Sequence, residues 1–219
     1  MATKIIWLFD KANQFVTDRN WWQFHNPKNS ALDIITEAAE LSELFALPTH
    51  IADLRYSIAD EMADVLFATL DLALITKIDL SVMISSTIDG NYTLNDHTCT
   101  YEDLQKLVLQ NLNKFYLDHL HTPEKTIMSL LGCASHLTDL FVWCTIEESV
   151  TIAQSKQAYI QKYLALILMH LIILADLLKF NLPEEYIRKM AKNAIKYPVD
   201  KASGNSYEKI KDAVRNHKK

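Results

Sequence analysis

The sequence predicts an all-α fold from three observations. Three glycines and five prolines leave little material for hairpin turns. Long stretches are rich in the helix-favouring Ala, Leu, Ile, Lys and Glu. Apolar residues also recur at three- and four-residue spacing. The predicted helices run near 3–18, 27–46, 51–77, 101–118, 123–144, 156–179 and 183–196, with a short one near 206–215. Pro27 after Asn26 and Pro123 after Thr122 mark helix starts, where a missing N–H costs nothing. Pro183 before Glu184 and Glu185 adds first-turn acids that suit the helix dipole.

A chain of 219 residues with 49% hydrophobic content can bury one sizeable core or two small ones. Cys99, Cys133 and Cys144 show neither even pairing nor metal-ligand spacing, so a reducing cytoplasm is the expected compartment. No basic segment followed by an apolar core opens the chain, so no secretion signal is expected. The apolar run 164–178 is shorter than the roughly 20 residues of a membrane span and contains His170 and Asp176, so it is expected to be a core helix. No membrane partner is expected. A net charge of −5 argues against a nucleic-acid polymer as partner, because phosphate contacts demand a basic surface. A small phosphorylated ligand needs only a local positive patch.

The polar stretch 85–100 is the best linker, and the segments on either side of it resemble one another. FHNPKN (24–29) parallels LHTPEK (120–125), and ELF (43–45) parallels DLF (139–141), both 96 residues apart. KIDL (77–80) parallels KFNL (179–182) at 102 residues. Three ordered matches predict a tandem duplication, with units at 1–84 and 101–219 joined by the linker.

The chemistry concentrates in two motifs. EAAEL carries Glu37 and Glu40, and EMAD carries Glu61 and Asp64, each pair three residues apart and so on one helix face. Glu37 shares its face with Ile34, Leu41 and Leu44, and Glu61 with Ile58, Val65 and Ala68, so helical spacing turns these acids toward the buried stripe. Four carboxylates there raise one another's pKa unless cations neutralise them, and oxygen-only ligands favour Mg²⁺ or Mn²⁺. The alternative is a solvated acidic helix face. In the second unit the matching positions are Cys133, His136, Tyr163 and Leu166, so the carboxylates are lost. That unit instead carries Lys189, Lys192, Asn193 and Lys196 on one face, opposite Ile187, Met190, Ala191 and Ala194. Complementary loss predicts one composite site, with first-unit acids holding metal and second-unit lysines holding phosphate. A di-iron carboxylate bundle is excluded, because neither His136 nor His170 completes a Glu-x-x-His motif.

RNWWQFHNPKN (19–29), EAAELSELF (37–45), DEMADVLF (60–67), KMAKNAIKYPV (189–199) and KASGNSY (201–207) together resemble the MazG-like all-α nucleoside triphosphate pyrophosphatases, nearest the dCTP pyrophosphatase branch. The resemblance implies a helical bundle, formed here as a pseudo-dimer within one chain that stays monomeric or pairs again as a homodimer. It implies cleavage of a nucleoside triphosphate between its α and β phosphates, giving the monophosphate and pyrophosphate. Glu37, Glu40, Glu61 and Asp64 would then bind Mg²⁺ or Mn²⁺, with one glutamate available as a base. Lys189, Lys192 and Lys196 would oppose charge on the leaving pyrophosphate, and Asn193 and Tyr197 would donate hydrogen bonds. Trp21 would stack on the base, while Trp22, Phe24 and His25 are expected to pack. The chain departs from that branch at Ala12, where a base-contacting histidine stands, and at Leu47, where a second tryptophan stands. The competing expectation is a catalytically inactive nucleotide-binding or protein-interaction module on the same fold.

Overall fold

The structure is a computed structural model that describes residues 3–46, 53–79, 84, 98–114 and 122–203. Among these residues the regular structure is helical, apart from an isolated antiparallel bridge between Lys4 and Thr100. The helices are α1 (Ile5–Asp18), α2 (Pro27–Ala46), α3 (Arg55–Thr76), α4 (Tyr101–Lys114), α5 (Pro123–Asp139), α6 (Ile146–Ser155), α7 (Gln157–Leu178), α8 (Leu182–Lys196) and the short α9 (Val199–Ala202), with a 3₁₀ turn at Trp21–Gln23.

Local chemistry sets the boundaries. Asn26 caps α2, its side-chain oxygen accepting from Asn29 N at 3.0 Å. Thr122 caps α5 and Asn181 caps α8 in the same way, each with a proline in the first turn. Helix α3 ends at Lys77 (φ 54°) and α7 at Lys179 (φ 56°), both left-handed, a conformation usually left to glycine. In each the cap N–H reaches back to the last turn, and Ile78 and Phe180 bond to Ala73 and Ala175 in turn. These caps fall 102 residues apart, and α4 and α5 begin 96 residues after α1 and α2. The predicted helix 123–144 stops at Asp139 and is followed by a turn and α6, which the expectation missed. A capping box starts α6: Thr145 accepts from Glu148 N, while the Glu148 side chain accepts from Thr145 N at 2.7 Å. The predicted helix at 206–215, Leu47 and most of the 85–100 linker lie outside the described residues.

Four helices form the central bundle. α2 packs on α3 and on α5, α5 packs on α7, and α7 closes the ring against α3. α7 is apolar and long enough by length and composition to cross a membrane, yet Leu164, Ile167, Leu171, Ile172 and Leu174 lie in the common core with no measurable exposure. Each such side chain contributes roughly 1.5–3 kcal/mol by leaving water. α8 crosses to lie on α3, which brings Lys189 and Asn193 to the acidic motifs. The lysine face of α8 meets α3, whereas Ile187 and Ile195 on its other side are exposed.

A second apolar cluster sits beside the first. Phe15, Val16, Trp21 and Ala202 are buried together, with Phe67, Met190 and Tyr197 against them. Buried Arg19 donates from Nε to Tyr197 O at 2.8 Å and from Nη1 to Phe15 O at 3.0 Å. The Trp21 indole N–H donates to Ala202 O at 2.8 Å. The start of the chain and the segment after α8 are thereby locked together around one cleft.

Candidate metal and nucleotide site

Helices α2 and α3 place the acids as their periodicity dictates. Ile34, Leu41, Ile58 and Val65 are fully buried, and Glu37, Glu61 and Asp64 are half-buried beside them. One carboxylate oxygen from each of these three acids lies within 4.8 Å of the others. Burial, then the charges of Asp64, Glu40, Glu61 and Asp33, push the Glu37 carboxyl up to about 8. Burial likewise raises Asp64, outweighing the Lys189 and Asn193 groups that favour its charged form. Convergent oxygen donors, burdened by their own repulsion, match what a hard divalent cation requires. Glu40 is exposed, one turn along α2, and stands outside the convergent trio.

Helix α8 supplies the opposing charge. Lys189 Nζ lies 2.5 Å from Asp64 Oδ2, and Asn193 Nδ2 donates to Asp64 Oδ1 at 3.3 Å. Burial would lower the Lys189 pKa, but Asp64, Asp60 and Glu61 overcome it and raise it. Lys192 takes a different course, pairing with Asp60, which also receives Arg188 Nη2 at 2.6 Å. Burial alone would raise Asp60, but these donors and the Lys189 charge hold it below the usual carboxylate range. Lys196 is exposed, with its ammonium 4.9 Å from the centre of the Tyr197 ring.

A cleft of about 750 Å³, counting the space open to solvent, joins these groups. Glu37, Asp64, Asn193 and Lys196 give its lining polar and charged groups, and Phe15, Trp21, Phe67 and Tyr197 give it aromatic rings. Trp21 is only 5% exposed and meets Phe15 and Tyr197 edge-on at 5.7 and 5.4 Å. Ala12 is fully buried and offers no polar side-chain atom. Among the expected site residues, Glu37, Asp64, Asn193, Lys196, Tyr197 and Trp21 therefore line one cleft, with Glu61 and Lys189 attached through Asp64. Lys192 and Glu40 lie outside its lining.

Several groups escaped the sequence reading. His25, expected to pack, lines the cleft and pairs with Asp71 at 2.8 Å. Asp71 lies seven residues after Asp64, and Asp33, also in the lining, four before Glu37. Extending each acidic motif along its helix face would have found both. Asp60 and Arg188 gave no such signal, since their pairing spans 128 residues.

Known proteins give an independent comparison. The chain is 29% identical to dCTP pyrophosphatase 1 of Bos taurus over 124 residues, covering 56% of this chain and 73% of that protein. It is 33% identical to dCTP pyrophosphatase 1 of Homo sapiens over 86 residues, covering 36% and 51% respectively. The Mus musculus protein of the same name is 29% identical over 107 residues, with 42% of this chain and 63% of that protein matched. Alignment thus spans from about half to about three-quarters of these relatives' length. No family model matches the chain, and no solved structure matches it. The chain is thus similar to dCTP pyrophosphatases over one third to just over half of its own length, a likeness that supports the dCTP pyrophosphatase branch of the MazG-like proteins.

Proposed function

We propose that this protein hydrolyses a nucleoside triphosphate, dCTP-like in class, to its monophosphate and pyrophosphate. One observation carries the reading: Glu37, Glu61 and Asp64 converge within 4.8 Å directly beside the Lys189 and Asn193 donors of α8. Glu37, Glu61 and Asp64 would hold Mg²⁺, or Mn²⁺ in its place, and exposed Glu40 is available to a second ion. When bound, the metal supplies charge neutralisation and water activation.

The chain's own groups do the rest. Glu37 must shed its proton before it can ligate, because a cation accepts only the ionised carboxylate. A glutamate not fully engaged is the candidate base for the attacking water. Lys189, released from Asp64, and Lys196 oppose the charge that grows on the leaving pyrophosphate. Lys192 adds to this field from its place on Asp60. Asn193 and Tyr197 donate hydrogen bonds to phosphate oxygens, and the aromatic lining of the cleft beside Trp21 receives the base.

The recurrence of α1, α2 and the left-handed lysine caps supports duplicated units at 1–84 and 101–219, forming a pseudo-dimer with one composite site. The net charge fits a small nucleotide and not a nucleic-acid polymer, and the spacing of the three cysteines fits a reducing cytoplasm. One observation favours a second reading, a catalytically inactive nucleotide-binding module: Lys189 already neutralises Asp64, and Glu40 stands apart from the trio. Pyrophosphate release should be measured across the common dNTPs and NTPs, including methylated cytosine, with Mg²⁺ and with chelator. Metal-dependent turnover of at least one nucleotide is expected. Turnover of none would leave the inactive module as the better account.

A further inference from the structure

The cleft lining includes a buried acid, Asp71, that the phosphate chemistry leaves unused. The Asp71 side chain is 3% exposed, with Oδ1 2.8 Å from His25 Nδ1 and Oδ2 accepting the Ser30 hydroxyl at 2.6 Å. The His25 ring stacks on Trp21 at 6.4 Å and meets Trp22 edge-on at 5.9 Å, so its plane is fixed as well. An ionised carboxylate only accepts hydrogen bonds, and the ring nitrogen facing it must therefore carry the proton. In a neutral imidazole the other nitrogen is then an acceptor.

We infer that Asp71, braced by Ser30, is a positioning residue: it holds His25 in the Nδ1-protonated form and makes Nε2 the acceptor that reads the base at the aromatic lining of the cleft. The ligand class follows from that polarity. A base presenting an amino group donates to Nε2, whereas an oxo group there sets two lone pairs against each other. The assignment rests on the nucleotide reading above and adds to it the choice between amino-bearing and oxo-bearing bases.

Full-length protein labelled with ¹⁵N-histidine reports which ring nitrogen of His25 holds the proton, and calorimetry gives affinities for dCMP, dUMP and inorganic pyrophosphate. Expected are a proton on Nδ1 and dCMP bound about tenfold more tightly than dUMP. In Asp71→Asn the two monophosphates should bind within about twofold of each other, with pyrophosphate affinity unchanged, because an amide can donate to Nδ1 and shift the ring proton to Nε2. A wild-type His25 protonated at Nε2, binding of neither monophosphate, or an unaltered dCMP preference in Asp71→Asn would overturn the assignment. Should Asp71→Asn fail to fold, Ser30→Ala takes its place. Removing the brace should reduce the preference about threefold, on the scale of one neutral hydrogen bond, and no change would overturn the role. Since neither readout requires turnover, a wild-type protein that releases no pyrophosphate would refute hydrolysis without deciding this point.

Discussion

Glu37 bears the heaviest electrostatic load in the cleft. Its carboxyl stands at about 8 in the folded, metal-free chain against an ordinary value of 4.5. The native state therefore binds more protons than the unfolded state between those values, and stability falls as pH rises through that window. Thermal melts in chelator should lose a few degrees from pH 5 to pH 8 on this account, and Mg²⁺ should restore more stability at pH 8 than at pH 5. An identical gain at both pH values would show that Glu37 does not ligate. Glu40→Gln should cut metal-dependent turnover by about a hundredfold with the helical circular dichroism unchanged. Wild-type turnover would remove Glu40 from the chemistry. Lys189→Ala should raise the KM for triphosphate while metal still binds, because Lys189 serves phosphate and only substitutes for metal at Asp64. Unchanged KM and kcat would undercut the composite site.

Helix α8 is held to α3 by more than the site. Arg188 and Lys192 converge on Asp60, one turn before Asp64, so one acid sets the register of the helix that delivers Lys189 and Asn193. The Asp60 side chain is 10% exposed, while those of Lys192 and Arg188 are 62% and 38% exposed, and solvent discounts the pairing. Asp60→Ala is expected to cost about 1–2 kcal/mol in denaturant melts, with a larger proportional loss of triphosphate affinity than of stability. A stability loss with unaltered affinity would mean that α8 needs no such anchor. α6 shows how a helix boundary escapes pattern reading. Apolar spacing runs on past Asp139 through Leu140, Phe141 and Cys144, yet the capping box at Thr145 and Glu148 begins a new helix.

The bundle takes α2 and α3 from one half and α5 and α7 from the other, and α8 returns to α3. Of the two proposed units, the first alone bears acids at the motif positions. In the second, the His136 and Tyr163 rings lie 4.9 Å apart, tilted by 33°, and Tyr159 lies 4.6 Å from Tyr163. One nucleotide per chain is therefore expected in a calorimetric titration with Mg²⁺. The Glu37→Gln, Asp64→Asn double variant should abolish Mg²⁺-dependent binding without leaving a weaker second site. Residual binding of half the ligand would mean that the second half keeps a site of its own.

Helical period alone put Glu37, Glu61 and Asp64 against the buried stripe, and residue type alone made them candidates for a hard cation. The caps at Asn26 and Thr122 were readable for the same reason: each is a local bond within one turn. Other features depended on groups far apart in the chain. Pairing Asp60 with Arg188, docking Trp21 on Ala202 and turning His25 toward Asp71 join residues 128, 181 and 46 positions apart. Periodicity says which face of a helix is buried but not which neighbour buries it. Complementary loss predicted that lysines and acids share a site, but packing of α8 on α3 and the ion pairs of Asp60 and Asp64 decided which groups meet there.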